Sequence, residues 1–211
     1  MIGGLIMVHS DDYGLVLPPR IAPKQVVIIP IGKSEKVINL AKSYQEKLQN
    51  EGIVTYIDNT EKSPGFKFAE AEVNGIPIRI EVGERDLEEN KITFVRRDTR
   101  EKINVSLNNL DIKTYTKALL ETIQKDMYNK ALKRREELTF EAHNLEDIER
   151  ILNTKPGFIK GMWCGDEKCE EKIKEIKGCK SRCILEEEPI DSVCVCCGKK
   201  AKHFVIWGIQ Y

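Results

Sequence analysis

Residues 25–57 read QVVIIPIGKSEKVINLAKSYQEKLQNEGIVTYI, and this stretch decides the fold. Val26-Val27-Ile28-Ile29 is a β-branched run with the length and character of a buried parallel strand. Ser34 is placed to cap a helix whose apolar face is Val37, Leu40, Ala41, Tyr44 and Leu48. Gly52 closes that helix, and Ile53 to Ile57 reads as a second strand. Strand, helix and strand in this order predict a right-handed βαβ unit.

Working outward, Gly65 to Val73 reads as a short helix, Ile76 to Val82 and Lys91 to Val95 as strands, and Thr114 to about Leu138 as a helix with Leu120, Ile123, Met127 and Ala131 on one stripe. Residues 24–125 are therefore expected to form an α/β domain, a mixed β-sheet flanked by helices. Upstream, Met1 to His9 has apolar residues at helical spacing but no N-cap, as a segment cut from a larger domain would, and Ser10 to Gly14 reads as a turn. Three prolines in Leu17-Pro18-Pro19-Arg20-Ile21-Ala22-Pro23 mark a stiff linker, so a boundary is expected after residue 23. Downstream, Leu145 to Leu152 is a helix, Lys155-Pro156-Gly157 a turn and His203 to Ile209 a closing strand, within a small α+β domain over residues 126–211.

Basic and acidic side chains balance at 34 each, which disfavours a general polyanion or DNA binder and leaves room for specific RNA contacts. No apolar run is long enough to span a membrane and no secretory signal pattern is present, so a cytoplasmic protein is the default expectation. All seven cysteines fall between Cys164 and Cys197. Cys164 with Cys169, and Cys194 with Cys197, can each close a tight loop, and together they supply the four thiolates of a structural zinc site with no open coordination position. Iron–sulfur ligation is the rival. Cys179, Cys183 and Cys196 read as small buried hydrophobes, although Cys196 sits inside the second loop and could compete as a ligand.

Several segments together resemble the class II prolyl-tRNA synthetases of the archaeal and eukaryotic type. Met1-Ile2-Gly3-Gly4-Leu5-Ile6-Met7-Val8-His9-Ser10-Asp11-Asp12-Tyr13-Gly14-Leu15 is similar to the end of their motif 3, and Leu17 to Pro23 to their exit from the catalytic domain. Pro64-Gly65-Phe66-Lys67-Phe68 followed by Gly75-Ile76-Pro77-Ile78-Arg79-Ile80-Glu81-Val82-Gly83 resembles their anticodon-binding domain. Cys164-Gly165-Asp166, the later cysteines and Tyr211 resemble their extra C-terminal domain. The resemblance implies residues 1–23 as a catalytic-domain remnant, a class II anticodon-binding fold over 24–125, and a zinc-binding domain over 126–211. It also implies a homodimeric parent ligase that uses ATP and Mg²⁺ to attach proline to tRNA(Pro). Motifs 1 and 2 and the ATP-contacting arginine have no counterpart here, so this chain alone is expected not to catalyse aminoacylation, and His9, Asp11 and Asp12 are expected to be a truncated polar edge. The family's C-terminal tyrosine folds back toward the active site, which gives Tyr211 a role only in the intact enzyme.

Anticodon bases are unpaired and are read by stacking and by hydrogen bonds to their edges. Phe68 can stack a base, Glu72 can accept from a guanine's N1–H and N2–H₂, and Arg79 and Arg85 can donate to guanine O6/N7 or to phosphate. By resemblance, Phe68, Glu72, Arg79, Arg85 and Asp86 lie near the anticodon. The plainer alternative makes Phe68 a core residue and Glu72 with Arg79 a surface ion pair. Arg96, Arg97, Arg100 and Lys102 could add phosphate contacts or form a solvated face, and the latter also describes Lys130, Lys133, Arg134 and Arg135 beside Glu136 and Glu137. Two rivals to the synthetase reading are a stand-alone RNA- or protein-binding module and a redox protein using Cys194 to Cys197, the latter lacking the expected strand–CxxC–helix setting.

Overall fold

The apolar start of the chain forms helix α1 (Ile2–Val8), none of whose residues is buried. The expected turn is the tip of a small antiparallel hairpin, β1 (Ser10–Asp11) and β2 (Gly14–Leu15), with Ser10 opposite Leu15. The computed structural model describes residues 2–155 and 157–209. Tyr211 and the centre of the turn expected at Lys155-Pro156-Gly157 lie outside them. The proline stretch is not a free linker, because Leu17, Pro18 and Pro19 are buried.

The β-branched run becomes β3 (Val26–Ile31), and α2 (Glu35–Asn50) leads from it to β4 (Thr55–Ile57). Then come α3 (Pro64–Val73), β5 (Ile78–Gly83), the short α4 (Glu84–Glu88), β6 (Lys91–Arg96), β7 (Lys102–Ser106) and the long α5 (Ile112–Glu137). The five strands are ordered β4-β3-β5-β6-β7, with β3 parallel to both β4 and β5, and β5, β6 and β7 antiparallel. Side chains alternate along each strand, so the sheet sorts them onto two faces. Val26, Ile28, Ile78, Ile80, Ile92 and Phe94 pack against Val37, Ala41 and Leu48 of α2 and Leu119, Leu120 and Ile123 of α5. Each of these buried side chains larger than alanine contributes about 1.5–3 kcal/mol. The opposite face is smaller: Val27 and Ile29 meet Ala71 and Ile76, with Phe68 packed at the edge. Arg79 and Glu81 share that second face.

The second compact unit holds β8 (Thr139–Glu141), α6 (Leu145–Thr154), β9 (Phe158–Trp163), α7 (Glu167–Glu175), β10 (Cys179–Leu185) and β11 (His203–Ile209). Asn144 caps α6 by accepting from the Asp147 amide at 2.9 Å. The strands are ordered β10-β11-β9-β8, antiparallel except for β8 with β9. Fully buried Trp207 centres a core with Ile148, Leu152, Ile159, Ile173 and Val205.

The two units are Met1–Asn129 and Lys130–Tyr211. Their division falls inside α5, a few residues past the expected 125/126 boundary, and the first 23 residues fall within the first unit. No helix among the described residues is long and apolar enough to cross a membrane.

Candidate nucleic-acid interface and metal centre

Ser63 accepts from the Phe66 amide and Pro64 occupies the first turn, which fixes where α3 begins. Phe68 and Glu72, four residues apart, therefore lie on one side of that helix. Arg79, from the neighbouring strand, meets both. Its guanidinium lies 4.4 Å from the Phe68 ring centroid, and Nη1 donates to a Glu72 carboxylate oxygen at 3.0 Å and to the Phe68 carbonyl at 3.4 Å. Its Nε donates to Glu81 at 2.9 Å. Arg79 and Glu81 are buried, whereas the Glu72 side chain keeps 28% of its exposure. Two carboxylates thus share one guanidinium. The three side chains carry a net negative charge, and the partly exposed Glu72 carboxylate can accept from the donor edge of a guanine.

Glu81 joins the site although it is absent from the residues expected there; the strict alternation of Ile78-Arg79-Ile80-Glu81-Val82 is the signal that puts it on one face with Arg79. Arg79 is also less available than expected, since Nε and Nη1 are committed within the protein. Arg85 and Asp86 lie beyond the end of β5 on α4, Arg85 exposed and Asp86 half-buried with its carboxylate 3.9 Å from Lys91 Nζ. Among the described residues no hydrogen bond joins them to the Arg79 group, so they form a separate flank beside it.

The basic hairpin is not a free cationic face. Arg96 is buried and donates to Asp98 and Asp126, and these bonds, Asp98 first, hold its guanidinium above its usual pKa. Arg97 is buried and forms a two-pronged pair with Asp11 at 2.7 and 2.9 Å. Arg100 lies over the Tyr13 ring and 3.5 Å from Asp11. Only Lys102 of the four stands exposed without such a partner among the described residues. The truncated edge expected at Asp11 is therefore an engaged ion pair, and the Arg97 bond holds the Asp11 carboxyl well below the usual carboxylate range.

In the second unit, Cys164 follows the last residue of β9, Cys169 rides on α7, and Cys194 and Cys197 flank a tight loop. Gly165 and Gly198 have φ of +88° and +67°, the left-handed turn each loop needs after its cysteine. The loop at Cys194 is closed by its amide donating to the Lys199 carbonyl at 2.8 Å and by the Gly198 amide returning to the Cys194 carbonyl at 3.0 Å. The four sulfurs lie within 4.8 Å of one another, with Cys164 3.7 Å from Cys169 and 3.8 Å from Cys197. Tetrahedral thiolates around an ion at ~2.3 Å stand ~3.8 Å apart, so the group fits a metal of that size. Backbone hydrogen bonding, from Lys199 above all, lowers the Cys197 thiol to about 7, while burial raises Cys164 and Cys169. Cys196 lies outside the four-sulfur group and packs on the core. Cys179 is buried as expected, but Cys183 is exposed on β10, a correction to its reading as a core residue.

Two family models match the chain: "Anticodon binding domain" over residues 25–113 and "Prolyl-tRNA synthetase, C-terminal" over residues 145–211. A proline–tRNA ligase of Clostridium botulinum (strain Loch Maree / Type A3) is 49% identical over 213 residues, covering all of this chain and 44% of the relative. One from Lachnoclostridium phytofermentans is 50% identical with the same coverage. Among solved structures, prolyl-tRNA synthetase from Cryptosporidium parvum, complexed with L-proline and AMP, superimposes with a TM-score of 0.90 at 34% identity, over all of this chain and 46% of that one. The chain thus spans less than half the length of these relatives.

Proposed function

Because the chain belongs to the prolyl-tRNA synthetase family and corresponds to its C-terminal part, we propose that it is the anticodon-reading portion of a proline–tRNA ligase. The observation that carries this reading is the acceptor-rich group of Glu72, Arg79 and Glu81 beside Phe68, set inside the segment that matches an anticodon-binding domain. In this reading the half-exposed Glu72 carboxylate accepts from the N1–H and N2–H₂ of an anticodon guanine. Arg79, held by Glu81, fixes that carboxylate and keeps Nη2 for the base, while Phe68 supplies apolar surface for stacking. Arg85 and Asp86 on α4 would meet the neighbouring nucleotide. Proline activation with ATP and Mg²⁺ and homodimer formation are assigned to the intact ligase, and the 211 residues alone are expected to be inactive in aminoacylation.

We assign the four-thiolate group Cys164, Cys169, Cys194 and Cys197 to structural zinc. Four protein ligands fill a tetrahedral shell and leave no place for substrate. Thiols kept for metal instead of disulfides suit a reducing compartment, in keeping with a cytoplasmic place of work.

The test is binding of the purified chain to a tRNA(Pro) transcript and to one with both anticodon guanines replaced, at one stated salt concentration. Tighter binding of the unaltered transcript, lost in Glu72→Gln, is the expected result. Equal binding of both RNAs by the folded protein overturns the anticodon reading and leaves a module with some other partner.

A further inference from the structure

The Glu72 side chain is held by Arg79, but its backbone is held from elsewhere. Arg97 Nε donates to the Glu72 carbonyl at 2.9 Å, and the other two nitrogens of the same guanidinium grip Asp11. Arg97 keeps only 2% side-chain exposure, so the partly exposed Asp11 (39%) is the counter-ion of a buried guanidinium. Asp11 lies outside the segment matching an anticodon-binding domain, on the β1–β2 hairpin. That hairpin is seated directly on the C-terminal end of α3. A Cβ on Gly14 would stand 2.4 Å from Val73 Cα, and one on Gly75 would stand 2.6 Å from Leu15 Cβ. The Leu17 amide also donates to the Gly75 carbonyl. Arg100 over Tyr13 fastens the tip. A continuous set of contacts therefore runs from Asp11 through Arg97 to the Glu72 backbone, and from the Glu72 carboxylate through Arg79 to Glu81.

We infer that Asp11 is a positioning residue for guanine recognition: through Arg97 it sets where the last turn of α3 presents Glu72. The inference rests on the reading of Glu72 as the base acceptor. Without the Asp11 carboxylate, the buried Arg97 guanidinium loses its partner and its hold on the Glu72 carbonyl slackens. A guanine that needs two acceptor contacts at fixed angles is then read less well, while contacts to the RNA backbone are unaffected.

The experiment measures the affinity ratio between the tRNA(Pro) transcript and its guanine-substituted form for the whole chain, in wild type, Asp11→Asn, Glu72→Gln and the double variant. In the expected result, Asp11→Asn lowers the ratio about five- to tenfold, the scale of one ordinary hydrogen bond weakened at a distance. Affinity for the substituted RNA stays unchanged, and Asp11→Asn has no further effect once Glu72 is Gln. That non-additivity is what a general loss of structure does not produce. Equal weakening toward both RNAs, an unchanged ratio, or additive effects in the double variant overturn the inference. If Asp11→Asn reduces the folded fraction, Asp11→Glu decides the matter, because it keeps the charge and moves the carboxylate. A retained ratio there overturns positioning, and a lowered one supports it. Should wild type itself not discriminate, the anticodon reading fails first and the role of Asp11 falls with it.

Discussion

At the scale of single residues, the two acids that share Arg79 should behave differently. Glu81 is buried with the guanidinium, so Glu81→Leu leaves a desolvated positive charge half-paired and should cost about 3–5 kcal/mol in urea unfolding. Glu72 is partly open to water, and Glu72→Gln should cost no more than about 1 kcal/mol while removing guanine discrimination. Stability and recognition should thus separate across one arginine; a Glu72→Gln variant as unstable as Glu81→Leu would make the group merely structural. Asp11 adds a dependence on pH. Its folded-state pKa is depressed by Arg97, so the stabilisation it contributes is complete above the unfolded carboxylate range near about pH 4 and is lost as pH falls through the depressed value. Unfolding midpoints of wild type and Asp11→Asn should therefore differ at pH 7 and converge only well below pH 4. Convergence already at pH 6 would mean that the pair is not formed in solution.

At the scale of elements, the hairpin β1–β2 is held as much by missing side chains as by charges. Gly14 combines a φ of +130° with the Val73 backbone directly beneath it. Gly52 has a φ of +76° but no atom within 4 Å of a new Cβ. Gly52→Ala should therefore cost only the left-handed backbone, about 1–2 kcal/mol. Gly14→Ala should add overpacking, for about 2–4 kcal/mol in all, and should lower guanine discrimination because Asp11 moves with the hairpin. If both variants lose the same amount, the seat of the hairpin on α3 is looser than described. The same contrast explains what could be read beforehand. The β3–α2–β4 unit, α3 and β11 follow from local periodicity, which a chain displays in its own neighbourhood. Arg97 with Asp11 joins positions 86 apart, and Arg96 with Asp126 joins positions 30 apart, so neither pair leaves a local mark. Counting cations along 96–102 without those distant carboxylates made a neutralised hairpin look basic. The strand β10, with its cysteines and charges, shows no apolar alternation, and only pairing with β11 makes it a strand.

At the scale of the whole molecule, each of the two units has its own core, and among the described residues the cysteine group that could hold a metal lies in the second. The first rests on aliphatic packing on both faces of a five-stranded sheet. The second is built around Trp207 and reaches the cysteine loops through Val195 and Cys196. Two of its four sulfurs, Cys164 and Cys197, stand beyond the buried core, so without an ion their ends of the loops rest mainly on backbone hydrogen bonds and on the packing of Val195 and Cys196. Binding free energy should then be folding free energy for this unit. Both tryptophans of the chain, Trp163 and Trp207, belong to it, in edge-on contact at 6.1 Å between centroids. Their fluorescence therefore reports the second unit alone. A strong chelator, or Cys197→Ser, should shift that emission to the red and lower its thermal midpoint, while the far-ultraviolet signal of the first unit persists as a distinct transition. Metal analysis of the untreated protein should find about one zinc per chain, and cobalt in its place should give the intense absorption of a tetrahedral thiolate site. A tryptophan signal indifferent to both chelator and Cys197→Ser would show that the core around Trp207 folds without the ion, and the four cysteines would lose their structural role.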